Sequence, residues 1–274
     1  MNNDRKKAII QILIAAVMLS TGGILLKLVD LPSMAIAGSR AIFSAIVVML
    51  YIKKPKFTFS RAQLIGALCY SSMVILFIIA NKLTTAANSI VLQFTAPVWV
   101  ALLSFIVLKE RIKWFDFLAI IATGLGMVLF FLDEVGGGST AGNIVALVSG
   151  VALAGVTISL RFQKDGSPIE TILLGHLITI AIGLPFIFGQ TIGAQNLIGI
   201  FLLGTFQLGL SYIFYSAAIK HLTAMEAILI MVLEPILNPL WVFLLNGERP
   251  GALSLLGGGI VLITIAFRGV VANR

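Results

Sequence analysis

Ten stretches of this chain read as continuous apolar helix, and the polar residues fall almost entirely between them. Their limits are 8–29, 33–52, 62–81, 86–108, 114–132, 141–161, 169–189, 196–219, 224–246 and 251–268. Each approaches the roughly 20 residues that a helix needs to cross a ~30 Å hydrocarbon core. The joints are short and polar or turn-forming, among them "DLPS", "KKPKFTFSR", "KERIK", "QKDGSP" and "NGERPG". None has the length of a soluble domain. The pattern predicts an all-α polytopic membrane protein with ten transmembrane helices. The basic start followed by an apolar run resembles a signal peptide, but the run is too long and no small-residue cleavage site follows. It is therefore read as a retained first helix.

Composition agrees with the pattern. The chain is 59% hydrophobic and 11% charged, with mean hydropathy +1.08, far from the balance of a water-soluble domain. A net charge of +8 raises nucleic acid as a partner, yet the cations sit in short clusters between apolar runs, without a basic face. The asymmetry expected of membrane proteins explains them better. With the N-terminus in the cytoplasm, the inner segments hold 15 of the 19 Lys and Arg residues, which places both termini inside a cell (inner) membrane. Cys69 is the single cysteine and lies in an apolar run, so no disulfide forms within the chain. No metal-spaced cluster, Walker A, HExxH or GxSxG pattern is present. The chain is accordingly read as not an enzyme, with no cofactor and no metal.

A shift of 138 residues aligns the chain with itself. Lys82 then meets Lys220, Thr85 meets Thr223, Ala86 meets Ala224, Pro97 meets Pro235, and Glu110-Arg111 meets Glu248-Arg249. Each half holds five helices, and an odd number per half makes the two cross the membrane in opposite senses. Residues 1–135 and 136–274 are thus expected to be inverted five-helix repeats, joined at Gly136 to Gly138.

On these residues the chain resembles the drug/metabolite transporter superfamily, and within it the EamA-type members. The matching pattern is a Thr-Ala step, a helix with a central proline, a closing Glu-Arg and a glycine-containing helix. It occurs as Thr85-Ala86, Pro97, Glu110-Arg111, Gly124 and Gly126, and again as Thr223-Ala224, Glu234-Pro235, Glu248-Arg249 and Gly257 to Gly259. Arg40 in the second helix is a further shared feature. The halves differ where Ala96 stands opposite Glu234 and Leu177 opposite Arg40, so an asymmetric site is expected.

Candidate site residues are the polar groups inside apolar helices, which are costly there and usually mark a pathway. At 1.5 Å per residue, Arg40 lies roughly 10 Å below the outer boundary and Glu234 roughly 15 Å from the inner one. Both are expected to face a hydrated central cavity and to pair directly, through water or through the substrate. The alternatives are a permanent structural ion pair, or a protonated Glu234 capping the backbone broken by Pro235 and Pro239. Asn238 and Trp241 follow on the Glu234 face, and Gln93 is the counterpart near Pro97. Gln207, Ser211 and Tyr215 form a stripe on the eighth helix, with Tyr212 beside them. These eight residues, Arg40, Gln93, Gln207, Ser211, Tyr215, Glu234, Asn238 and Trp241, are the candidate substrate-binding set. Glu234 and His176 are the proton-coupling candidates, with His176 read equally as a packing residue. Lys27 is placed at a helix end, near Asp30.

The resulting expectation is a secondary transporter for a small polar metabolite, an amino acid or related charged metabolite, exported or exchanged by alternating access. A lipid-linked sugar flippase or nucleotide-type exchanger of the same fold is the alternative, and a scaffold or intramembrane enzyme is disfavoured by the lack of a matched catalytic set. Expected partners are a small-molecule substrate and the lipid bilayer, and a homodimer is compatible with the sequence.

Overall fold

The computed structural model describes residues 3–26, 28–132, 139–237, 241 and 251–271. All of the regular elements among them are helices. They are α1 (Asn3–Leu26), α2 (Ser33–Ile52), α3 (Arg61–Leu83), α4 (Asn88–Leu108), α5 (Trp114–Phe130), α6 (Thr140–Phe162), α7 (Pro168–Ile187), α8 (Ala194–Ala218), α9 (Ala224–Met231, then 233–237) and α10 (Ala252–Val271). Eight of these are long and apolar enough to cross a membrane, and α5 is a shorter apolar helix. The predicted ninth run is described only to residue 237.

The helices stay apolar on their outer faces. Leu50, Phe105, Leu125, Leu255 and Ile263 are all at least 60% exposed. Such a surface suits acyl chains rather than water. Inside, α2 lies against α7 and α8, α3 against α6 and α7, and α1 against α8 and α9. On the other side, α4 packs on α6 and α9, and α5 on α10. Two contacts need a missing side chain. Gly38 of α2 meets Gly183 of α7 backbone to backbone, and Gly257 of α10 sits on the Gly126 carbonyl and Phe130 amide of α5. Close approach through small residues is how apolar helices gain contact in lipid. Gly124 and Gly259, by contrast, face open space, so only part of the predicted glycine packing applies.

Helix starts and breaks follow local chemistry. Thr85 and Thr223 each accept a hydrogen bond from the amide three residues on, capping α4 and α9 in the usual way. Each of these helices is then interrupted, at Phe94–Thr95 and at Val232, just ahead of Pro97 and Pro235. Proline lacks the amide needed by a carbonyl one turn earlier. Within the break in α4 the Thr95 hydroxyl donates to the Leu92 carbonyl at 2.7 Å.

The two ends of the bundle differ. At one end Arg5, Glu226, Arg268 and Asp116 join α1, α9, α10 and α5, while Arg161 joins Glu110. We refer to this as the basic end. At the other end, contacts are neutral or weakly charged: Asp30 with Asn196, and Thr84 with Asn143.

Gly257→Ala should destabilise the protein by about 1–3 kcal/mol through overpacking, and Gly259→Ala should stay within about 0.5 kcal/mol of wild type. Unfolding midpoints in detergent check the pair.

Candidate functional site

Arg40 lies on α2, three-quarters of a turn beyond Ala37 and opposite an irregular part of α8. Residues Leu203–Leu210 of α8 wind as π-helix, a form often found at functional sites. Gly204, in that segment, lies against the Arg40 carbonyl and Phe43. The widened winding consumes Ser211, whose hydroxyl donates back to the Gln207 and Leu208 carbonyls. It also turns Tyr212 inward.

Around Arg40 stands a polar and aromatic cluster from four helices. Tyr70 and Tyr212 meet edge to face with ring centroids 4.9 Å apart, and Tyr70 meets His176 at 4.8 Å. His176 Nε2 is 2.7 Å from the Ser44 hydroxyl and 3.3 Å from that of Tyr70. Tyr70 and Tyr212 are electrostatic neighbours of Arg40, as is His176. Arg40 itself is 5% exposed. Among the described residues its guanidinium has no ion pair and no hydrogen-bond acceptor, with Nε fully enclosed. His176 Nδ1 and Gln207 Oε1 are likewise enclosed and unmatched.

Glu234 occupies a second position beyond Tyr212. It is half-buried and lines a cavity of about 20 Å³ with Leu19, Phe94, Leu153, Tyr212, Tyr215 and Met231. That is room for roughly one water. Tyr212 is an electrostatic neighbour of both Arg40 and Glu234. Of the three pairings expected for Arg40 and Glu234, the direct one is not formed: none of the ion pairs among the described residues joins them.

A larger cavity of about 640 Å³ opens at the basic end between α1, α2, α7 and α8. Its exposed rim carries Asp4, Lys7, Tyr51 and His221, and Ser216 lies in its wall. Ser216 is one turn along α8 from Tyr212 and beside Tyr215. Tyr212 and Tyr215 themselves do not line it.

The remaining candidates divide. Tyr215 lines the Glu234 cavity and bonds Thr157 at 2.9 Å. Gln93 donates to Ser149 at 2.7 Å, and Ser149 to the Met73 carbonyl, tying α4, α6 and α3 together. Gln207 donates to the Leu19 carbonyl at 3.3 Å. Trp241 donates to Ser20 on α1 at 2.8 Å. Gln93, Gln207, Ser211, Trp241 and His176 line neither cavity, and neither does Arg40, which was expected to face a hydrated one. Asn238, Lys27, Pro239, Glu248, Arg249 and Gly136 to Gly138 lie outside the described residues.

Sequence reading missed Tyr70 and the weight carried by Tyr212, because a tyrosine in an apolar run resembles an interfacial anchor. It also missed the clamp at the basic end. Arg268 grips Asp116 with Nε and Nη2 at 3.0 and 2.9 Å and Glu226 with Nη1 at 2.9 Å. Glu226 additionally meets Arg5 and closes a capping box with Thr223. At a helix end, Glu110 was expected to be solvated or paired with the neighbouring Arg111. Instead it accepts from Arg161 at 2.8 Å and from the Ala224 amide at 3.2 Å, because the start of α9 presents unbonded amides to an anion.

Comparison with known proteins gives a consistent outcome. A sequence model of the EamA-like transporter family matches residues 6–132 and again residues 140–269. A protein of Clostridium kluyveri named as an uncharacterized transporter is 26% identical over 215 residues, covering 72% of this chain and 68% of its own. One of Archaeoglobus fulgidus with the same name is 25% identical over 262 residues, covering 94% and 95%. A solved crystal structure superposes with a TM-score of 0.83 over 98% of each chain at 14% identity, which shows the shared fold.

Asp116→Ala should cost about 3–5 kcal/mol, the range for removing one partner of a buried pair. Pairing it with Arg268→Met should restore part of that loss. A double-mutant cycle on unfolding midpoints measures the coupling.

Proposed function

The chain belongs to the EamA-like transporter family, and on that premise we propose that it is a secondary transporter working by alternating access. Its cargo is a small polar metabolite, an amino acid or related charged metabolite, exported or exchanged across the cytoplasmic membrane. The basic end faces the cytoplasm, with both termini there, in keeping with the distribution of Lys and Arg.

Two inverted five-helix repeats, residues 1–135 and 136–274, form the moving halves. Three observations support this reading. The family model matches twice. The threonine caps and the breaks before proline recur at the 138-residue offset, Thr85 with Thr223 and Phe94 with Val232. The packing pairs also survive exchange of each helix for the one five places on: α3 with α6 becomes α8 with α1, and α4 with α6 becomes α9 with α1.

The observation that carries the functional reading is the pair of separated intramembrane charges, Arg40 and Glu234, both neighbours of Tyr212, with Ser216, one turn along α8 from Tyr212, in the wall of a 640 Å³ vestibule. A bundle in lipid keeps such groups only where solute or water meets them. The vestibule rim is charged, which favours a water-soluble solute over a lipid-linked sugar. Glu234 is the proton-coupling group of this scheme, since a carboxylate in a nearly dry cavity changes charge state when its surroundings change. The site residues otherwise assigned to substrate are Tyr212 and Tyr215, while Gln93, Gln207, Ser211 and Trp241 hold the helices that carry them.

A metabolite panel in proteoliposomes, run with and without a pH gradient, tests the proposal. Wild type should move at least one amino-acid-like solute. Glu234→Gln should slow it by roughly tenfold or more, the equivalent of one charge-assisted hydrogen bond of about 1.5–3 kcal/mol, and should remove the response to the gradient. Full pH-dependent transport by Glu234→Gln would overturn the coupling role.

A further inference from the structure

Among the described residues, the arginines drawn wholly or partly into the bundle obey one rule with one exception. Arg5, Arg161 and Arg268 each reach a carboxylate. Arg40, more deeply enclosed than Arg5 or Arg161, reaches none. A guanidinium is always charged and carries five N–H donors in a fixed fork. Leaving those donors without an acceptor in a low-dielectric interior is the most expensive arrangement available to the side chain. The neighbours are equally unsatisfied. Among the described residues, the Tyr212 hydroxyl has the Met73 sulfur alone as acceptor, at 3.8 Å, and His176 Nδ1 has no partner.

The geometry points to Arg40, with the Tyr70 and Tyr212 hydroxyls beside it, as a binding site for the carboxylate group of the transported solute. A carboxylate matches the guanidinium fork in two parallel hydrogen bonds, and its second lone pairs accept from a phenol more strongly than a thioether does. The surrounding contacts hold the receptor open. Ser44 and His176 fix Tyr70 from one side, the Tyr70–Tyr212 ring contact fixes the other, and the π segment of α8 sets Tyr212 in place. Glu234 makes no ion pair with Arg40 in this arrangement. It remains available for a cationic or hydrogen-bond-donating part of the same solute. The vestibule and Arg40 share the walls α2, α7 and α8, and Tyr51 on its rim is eleven residues from Arg40 on α2, roughly 16 Å along the helix. This subsite deepens the transport proposal, which supplies the route by which the solute arrives, but the binding chemistry can be measured without transport.

The test uses the full chain in detergent, titrated with sodium acetate, acetamide and sodium chloride at matched ionic strength. Acetate should raise the unfolding midpoint of wild type in a saturable way, and acetamide should not. Arg40→Gln should weaken the acetate response by about tenfold or more, Arg40→Lys by less, and Tyr212→Phe severalfold, as expected for losing charge-assisted bonds. Tyr212→Phe and Tyr70→Phe remain informative where the arginine variants fold poorly. An acetate response absent from wild type, unchanged in Arg40→Gln, or matched by chloride through the same Arg40 dependence would overturn the assignment. A positive acetate response with no solute moved in proteoliposomes would sustain this subsite and count against the transport cargo instead.

Discussion

In a hydrocarbon solvent a polar group must find its partner inside the protein, and that constraint organises this molecule. The helices satisfy their own backbones, and at the break in α4 the Thr95 hydroxyl adds a bond to the Leu92 carbonyl. Charges drawn into the bundle are satisfied in two clusters at the basic end. Among the described residues Arg40 is the enclosed arginine that reaches no carboxylate, and the proposed carboxylate subsite lies there.

The division of labour follows from which helices carry which charges. Glu226, Glu110 and their arginines fix the first turn of α9 to α1, α5, α6 and α10. The start of α9 is thereby held firmly while its later part, beyond the interruption at Val232, carries Glu234 into the small cavity. On the other flank α1, α2, α7 and α8 separate to form the vestibule. In the proposed cycle, the side held by ion pairs closes the cytoplasmic face on one flank and the open flank admits solute. Conversion to the opposite state then requires a rearrangement of α2, α7 and α8 about their glycine contacts, such as Gly38 with Gly183.

Much of this was legible beforehand, for physical reasons. The apolar runs 33–52, 62–81 and 141–161 end within a residue or two of α2, α3 and α6, since a charge or a turn residue stops a buried helix sharply. The first helix starts earlier than predicted, at Asn3, because Asp4 to Lys7 are helical at the polar end though not apolar. Arg40 and Glu234 were recognised by the cost of their charges. That no direct ion pair joins them was not, because the two lie on helices far apart in the chain. Of the expected Gln207, Ser211, Tyr215 stripe, Gln207 and Ser211 donate to backbone carbonyls and Tyr215 bonds Thr157. The pairs Arg268–Asp116 and Arg161–Glu110 join residues far apart in the chain, and local spacing carries no signal for them.

The account depends most on a water-filled route from the basic end to the central tyrosines. Single cysteines at Ser216 and Tyr212, on a background with Cys69 replaced by serine, report on that route when a membrane-impermeant, water-soluble thiol reagent is applied to each side in turn. The account predicts modification of both positions from the cytoplasmic side, with the Tyr212 position slowed by added carboxylate. Modification only by lipid-soluble reagents, with neither position reached from water on any side, would contradict it.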